Sequence, residues 1–175
     1  MDTLLGTVHA LAWATYVGGA LTMDFILRYA QKTMPPSQVG VVCKKSGGRY
    51  RWVALGALLV IGLTGLIMVL RTSDSDLAGR VGDPNLSLSN SYGRTLLLLT
   101  ITWLLALAAV SAMAFFLHPA QAKRSKPEMT KDEIQAERER IGRAIKRMDR
   151  VLRFELYLSI VSVLLGASLH AGGLF

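Results

Sequence analysis

Thr3 to Met23, TLLGTVHALAWATYVGGALTM, runs for 21 residues without an Asp, Glu, Lys or Arg. An α-helix rises about 1.5 Å per residue, so about 20 apolar residues cross the roughly 30 Å of hydrocarbon in a bilayer. Three more charge-free stretches follow: Trp52 to Leu70 (19 residues), Thr95 to Leu117 (23) and Leu156 to Phe175 (20). Four transmembrane helices are therefore expected. The flank of the first, Met1-Asp2, is not basic, and its apolar run exceeds the about 7–15 residues of a secretory signal, so it reads as a retained span.

Composition agrees. Of 175 residues, 51% are hydrophobic and 18% charged, with a mean hydropathy of +0.37. That is too apolar and too charge-poor for a disordered chain. The 20 Lys and Arg against 12 Asp and Glu leave a net charge of +8. The single Cys43 excludes an internal disulfide, a cysteine-based zinc site and covalent C-x-x-C-H haem attachment.

The excess charge maps onto the connections. Arg28 to Arg51 carries six basic residues and no acid, and His118 to Arg153 carries eleven against six acids, whereas Arg71 to Arg94 carries three of each. Basic loops stay in the cytoplasm. The expectation is an all-α integral membrane four-helix bundle in the inner (cytoplasmic) membrane, both termini outside, with a long cytoplasmic extension of helix four. The helices are placed at about 3–28, 52–70, 93–117 and 131–172, the last entering the membrane from about 154, in one domain over 1–175. Net charge thus reads as topology and not as nucleic-acid binding.

Pro35-Pro36 and Gly47-Gly48 suggest an irregular first loop, and Gly82-Asp-Pro84-Asn an irregular second. In the third, Thr130-Lys-Asp-Glu133 has the form of a capping box. Beyond it Ile134, Ile141, Ile145, Met148 and Leu152 recur on one face of an amphipathic helix, which should continue into the fourth span. Its basic face suits a solvated surface beside lipid headgroups, with anionic lipid or a partner subunit as the alternative.

Ionisable groups inside a span are costly and mark functional candidates. His9 lies about six residues into the first helix and His170 about five from the end of the fourth, so the two imidazoles are expected at one depth near the outer face. Two facing histidines suit axial ligation of a haem b. Gly18, Gly19, Gly56, Gly62, Gly65, Gly166, Gly172 and Gly173 would make room for the macrocycle; ordinary close helix packing is the alternative. Met68 adds a soft donor, so His9, Met68 and His170 also form a candidate Cu(I) site. Arg94 opens the third helix on the same side and suits a haem propionate, ahead of Arg71 and Arg80. His118 stands at the opposite end. Asp24 with Arg28, and Glu155 after Arg153, read as interfacial ion pairs, with proton relay as the alternative. No P-loop, G-x-S-x-G, H-E-x-x-H or dinucleotide fingerprint is present, which disfavours hydrolases and nucleotide enzymes.

The run His9-Ala-Leu-Ala-Trp-Ala-Thr-Tyr-Val-Gly18-Gly19 resembles the first helix of the CopD-type copper-resistance membrane domain. Arg49-Tyr50-Arg51 with Leu63-Thr64-Gly65-Leu66 is similar to that family's second helix, and Tyr92-Gly93-Arg94 with its Leu run to the third. In layout the group is similar to HemJ-type protoporphyrinogen oxidases, four-helix membrane proteins with a b-type haem and a first-helix His ligand, which implies His9 as an iron ligand. The Lys that often follows the Tyr-Gly-Arg-Leu run is absent, Leu98 and Leu99 occupying that region, so the resemblance implies the scaffold and not the oxidase activity.

The expected function is a membrane b-type haem electron-transfer protein near the periplasmic face, a subunit of a larger redox complex and not a stand-alone enzyme. His9 and His170 would hold the iron, and lipids, neighbouring redox subunits and a quinol would be its partners. A copper-handling protein using His9, Met68 and His170 is the alternative, and a cofactor-free accessory subunit a third.

Overall fold

A computed structural model describes residues 2–72, 91–117, 130–171 and 173–174. Every regular element among them is helical: α1 (Asp2–Leu21), a π-helical stretch (Thr22–Leu27), α2 (Arg28–Thr33), α3 (Pro36–Thr72), α4 (Ser91–Ala112), a second π-helical stretch (Met113–Leu117) and α5 (Lys131–His170). Four segments are long and apolar enough to cross a bilayer: Thr3–Ala30, Lys45–Leu70, Ser91–Phe116 and Lys146–Leu169. The expected irregular loop at Gly82–Pro84, and His118, lie outside the described residues.

The first connection differs from expectation. It is a short turn at Met34 and Pro35, after which α3 runs unbroken through Gly47-Gly48 into the second span. Pro36 occupies the first helical position, where a missing N–H costs nothing and a fixed φ suits the helix. Proline therefore starts this helix instead of marking a loop. The 40-residue α5 begins at Lys131, directly after Thr130, as the capping pattern indicates. The Glu133 half of that box and the side chains of Ile134, Ile141 and Ile145 lie outside the described residues; Met148 and Leu152 pack onto the core.

α1 packs along α3 and α4 along α5, and contacts of α1 with α5 and of α3 with α4 close the ring. The core is lined by small side chains, Ala12, Ala20, Ala54, Ala57 and Ala106, which let the backbones approach. Large apolar residues point outward in every span, among them Leu11, Leu63, Leu104 and Leu164. That inverted distribution suits hydrocarbon as the surrounding solvent.

Lipid tails are as apolar as leucine, so packing and interhelical hydrogen bonds must hold such a bundle, each bond contributing about 0.6–2 kcal/mol. The Trp103 indole of α4 donates to the Leu58 carbonyl of α3 at 2.9 Å. Ser162 of α5 donates to Thr102 Oγ1 of α4 at 3.1 Å, and Arg51 of α3 reaches the Ala114 carbonyl at 3.2 Å. At the end of α5 the Gly173 amide turns back to the Ser168 carbonyl (2.9 Å), with Gly173 at φ 103° against the backbone of Ser91. A left-handed φ and that close approach together require glycine.

Two glycines of one helix should respond oppositely to an added methyl. A Cβ at Gly62 overlaps the Trp103 ring, whereas one at Gly56 meets nothing within 4 Å. Gly62→Ala is expected to lose about 1–3 kcal/mol, seen as a lower thermal midpoint in detergent, and Gly56→Ala to match the parent or exceed it.

Candidate functional site

His9 sits on the inward face of α1 and is fixed from two sides. Its Nδ1 lies 2.7 Å from Thr64 Oγ1 on α3, and the Trp13 indole, one turn further along α1, donates to its Nε2 at 3.1 Å. An indole N–H can only donate, so Nε2 must present its lone pair and the proton resides on Nδ1. Nδ1–H then donates to Thr64, whose hydroxyl passes its own hydrogen to the Val60 carbonyl at 2.6 Å. The result is a neutral imidazole of defined tautomer, with its one lone pair held by the Trp13 indole. The ring lies against Gly65, where a Cβ would stand 3.5 Å from His9 Cε1, an ordinary contact.

The other predicted residues are arranged around this point. Met68 follows Thr64 by one turn of α3, on the same helix face and towards the end of the bundle that holds the chain termini. His170 is the last residue of α5. Across the bundle Thr102 faces Ser162, and Trp103, the next residue, packs on Gly62, just inside Thr64. The side chain of His170 lies outside the described residues, as do Arg80, His118 and the side chain of Arg71. Arg94 is exposed in the first turn of α4.

Both nitrogens of His9 are engaged within the chain, Nδ1 by Thr64 and Nε2 by Trp13, so neither stands open to a haem iron as the side chains lie. Part of the room that glycines were expected to leave is filled by the chain's own rings: Tyr50 packs on Gly19 and Trp103 on Gly62. Gly18, Gly56 and Gly166 have open space beside them; Gly56 lines an apolar groove between α1 and α3, of about 360 Å³, bounded by Leu11, Thr15 and Trp52. Among the described residues no group of three or more His, Cys, Asp and Glu side chains converges.

A second polar cluster lies deeper. Glu155 on α5 is fully buried, and Tyr50 of α3 donates to its Oε1 at 2.9 Å. Tyr16 of α1, also fully buried, lies beside the same carboxyl, yet its hydroxyl and Glu155 Oε2 have no hydrogen-bond partner. Glu155 is therefore not the interfacial half of an ion pair with Arg153. Asp24, by contrast, does pair with Arg28. The sequence signal for Glu155 is its spacing: Leu152, Glu155, Ser159 and Ser162 step by three and four, so the glutamate shares the core face. An edge-to-face series connects the clusters, with His9 to Trp13 ring centroids 6.4 Å apart and Trp13 to Tyr16 6.0 Å.

The fold and site define a multi-pass membrane protein whose polar groups are gathered inside a four-helix bundle. The chain belongs to the CopD family: Copper resistance protein D matches residues 45–169, well over half of its length. No curated protein and no solved structure matches it. The match contains the Arg49-Tyr50-Arg51, Leu63-Thr64-Gly65-Leu66 and Tyr92-Gly93-Arg94 segments and Glu155, and it stops short of His9 and His170. His9 nonetheless joins the matched region physically, through Thr64.

The Thr64 bond gives a direct test. Thr64→Val leaves the His9 Nδ1–H buried without its acceptor and should cost about 1–3 kcal/mol, measured as a fall in thermal midpoint. Thr64→Ser should retain most of the parent's stability.

Proposed function

We propose that this chain is a copper-handling protein of the cytoplasmic membrane, with Cu(I) as its cargo. The observation that carries the reading is the state of His9 inside a CopD-family bundle: a neutral imidazole whose one lone pair is held by Trp13 at 3.1 Å. Imidazole and thioether sulfur are the donors that suit Cu(I). His9 (bonded to Thr64), Met68 (one turn beyond Thr64) and His170 (the last residue of α5) are donors of this kind towards the end of the bundle that carries the termini. A series of such donors lets an ion pass from one to the next.

For copper to reach Nε2, the Trp13 indole must swing away. Thr64 keeps the Nδ1 proton in place, so the lone pair stays aimed at the space that Trp13 vacates. The distribution of basic residues supports an orientation with both termini outside and the basic extension of α5 in the cytoplasm. The donor series then opens to the outer face.

Competition of the purified protein against a Cu(I) chelator tests the reading. His9→Ala and Met68→Leu should each weaken binding tenfold or more, about 1.4 kcal/mol, and Trp13→Phe should strengthen it. A parent protein that takes no copper, or variants indistinguishable from it, would overturn the proposal. Orientation is checked separately by an alkaline phosphatase fused after Phe175, which should be active.

A further inference from the structure

We propose that Glu155, held between Tyr16 and Tyr50, is a proton-binding site in the interior of the bundle. Glu155 lies nine residues inside the start of its span, about 13 Å along the helix. Its side chain and that of Tyr16 are wholly buried, and Tyr50 is nearly so. A carboxylate at such depth is tolerated where a cation or a proton neutralises it.

Among the described residues no cation does so. The titratable groups that face the carboxyl are Tyr16 from α1 and Tyr50 from α3. Of the charged groups on the elements packed around it, Asp24 and Arg28 are paired with each other. Arg51 directs its guanidinium to the Ala114 carbonyl and over the Trp52 ring. On α5 itself Arg153 and Tyr157 are exposed. The Met113–Leu117 stretch contributes no ionisable side chain.

Two unpartnered atoms identify where the proton goes. Tyr50 supplies a hydrogen to Oε1, while Oε2 and the Tyr16 oxygen, both buried, lack partners. A tyrosine hydroxyl can donate or accept. With the carboxyl ionised, Tyr16 can donate to Oε2. When a proton from solvent bonds to Oε2, the charge falls from −1 to 0 and the new O–H can donate to the Tyr16 oxygen. Both states are thus satisfied by turning one hydroxyl, without moving the backbone. Tyr50, about five residues inside its span, keeps its bond to Oε1 in both states.

The proposal does not depend on copper, and its test uses none. Infrared difference spectra of the full chain in lipid nanodiscs should show a carboxylic acid C=O band at neutral pH. The band should shift in D2O, decline as pH is raised, vanish in Glu155→Gln and move in frequency in Tyr50→Phe, where Oε1 loses its donor. The glutamine amide keeps the size and hydrogen-bonding capacity of the acid. Should Glu155→Gln fail to fold, the Tyr50→Phe shift decides, and an unmoved band counts against the site. The proposal is overturned if parent minus Glu155→Gln shows carboxylate bands alone at neutral pH, which would mean a bound cation. It is equally overturned by an acid band indifferent to D2O and pH, which would mean a sealed structural carboxyl.

Discussion

Hydrocarbon offers no hydrogen-bond partner, and that constraint organises the whole bundle. Each polar side chain carried into a span must be satisfied by another helix or by its own backbone. Threonines and serines meet the requirement locally, returning their hydroxyls to carbonyls three or four residues back, as Thr15 does to Leu11 and Ser159 to Leu156. His9, Tyr50 and Trp103 cannot, and their bonds to Thr64, Glu155 and Leu58 tie the helices together. The same few residues therefore set the packing and supply whatever chemistry the bundle has.

Glycine and aromatic residues act as paired features in this arrangement. Tyr50 fits onto Gly19 and Trp103 onto Gly62, each ring lying where a Cβ would otherwise stand. The rings bring their polar tips to the helix interfaces while their flat faces fill the core. At these two glycines, what looks in sequence like space for a cofactor is space for the protein's own side chains.

The two polar clusters occupy different levels and differ in kind. At the level of His9, the side chains present a nitrogen lone pair held by an indole donor, with Met68 one turn beyond Thr64 on α3. At the level of Glu155, they present a carboxyl and two hydroxyls, one of each left without a partner. Trp13 lies between them, bonded to His9 and edge-on to Tyr16. Soft donors at one level and hard oxygen groups at the other are suited to different ions.

Charge-free runs of about 20 residues were enough to find four spans, because the bilayer sets that length whatever the packing. The capping pattern before Lys131 and the i,i+4 pair Asp24–Arg28 were likewise legible, since both depend on local spacing. The helix through Gly47-Gly48 was not, because glycine is a weak local breaker that a long helix overrides. The contact of Tyr50 with Gly19, that of Trp103 with Gly62 and the bond from Tyr50 to Glu155 were also beyond sequence. All three depend on how the helices rotate and slide against one another, and span length leaves those two freedoms open. Sequence by itself determined how many helices cross and which residues enter the membrane. Tertiary structure alone decided which of those residues meet, because in a medium where every outward face is equally apolar only interhelical packing and hydrogen bonds select the register.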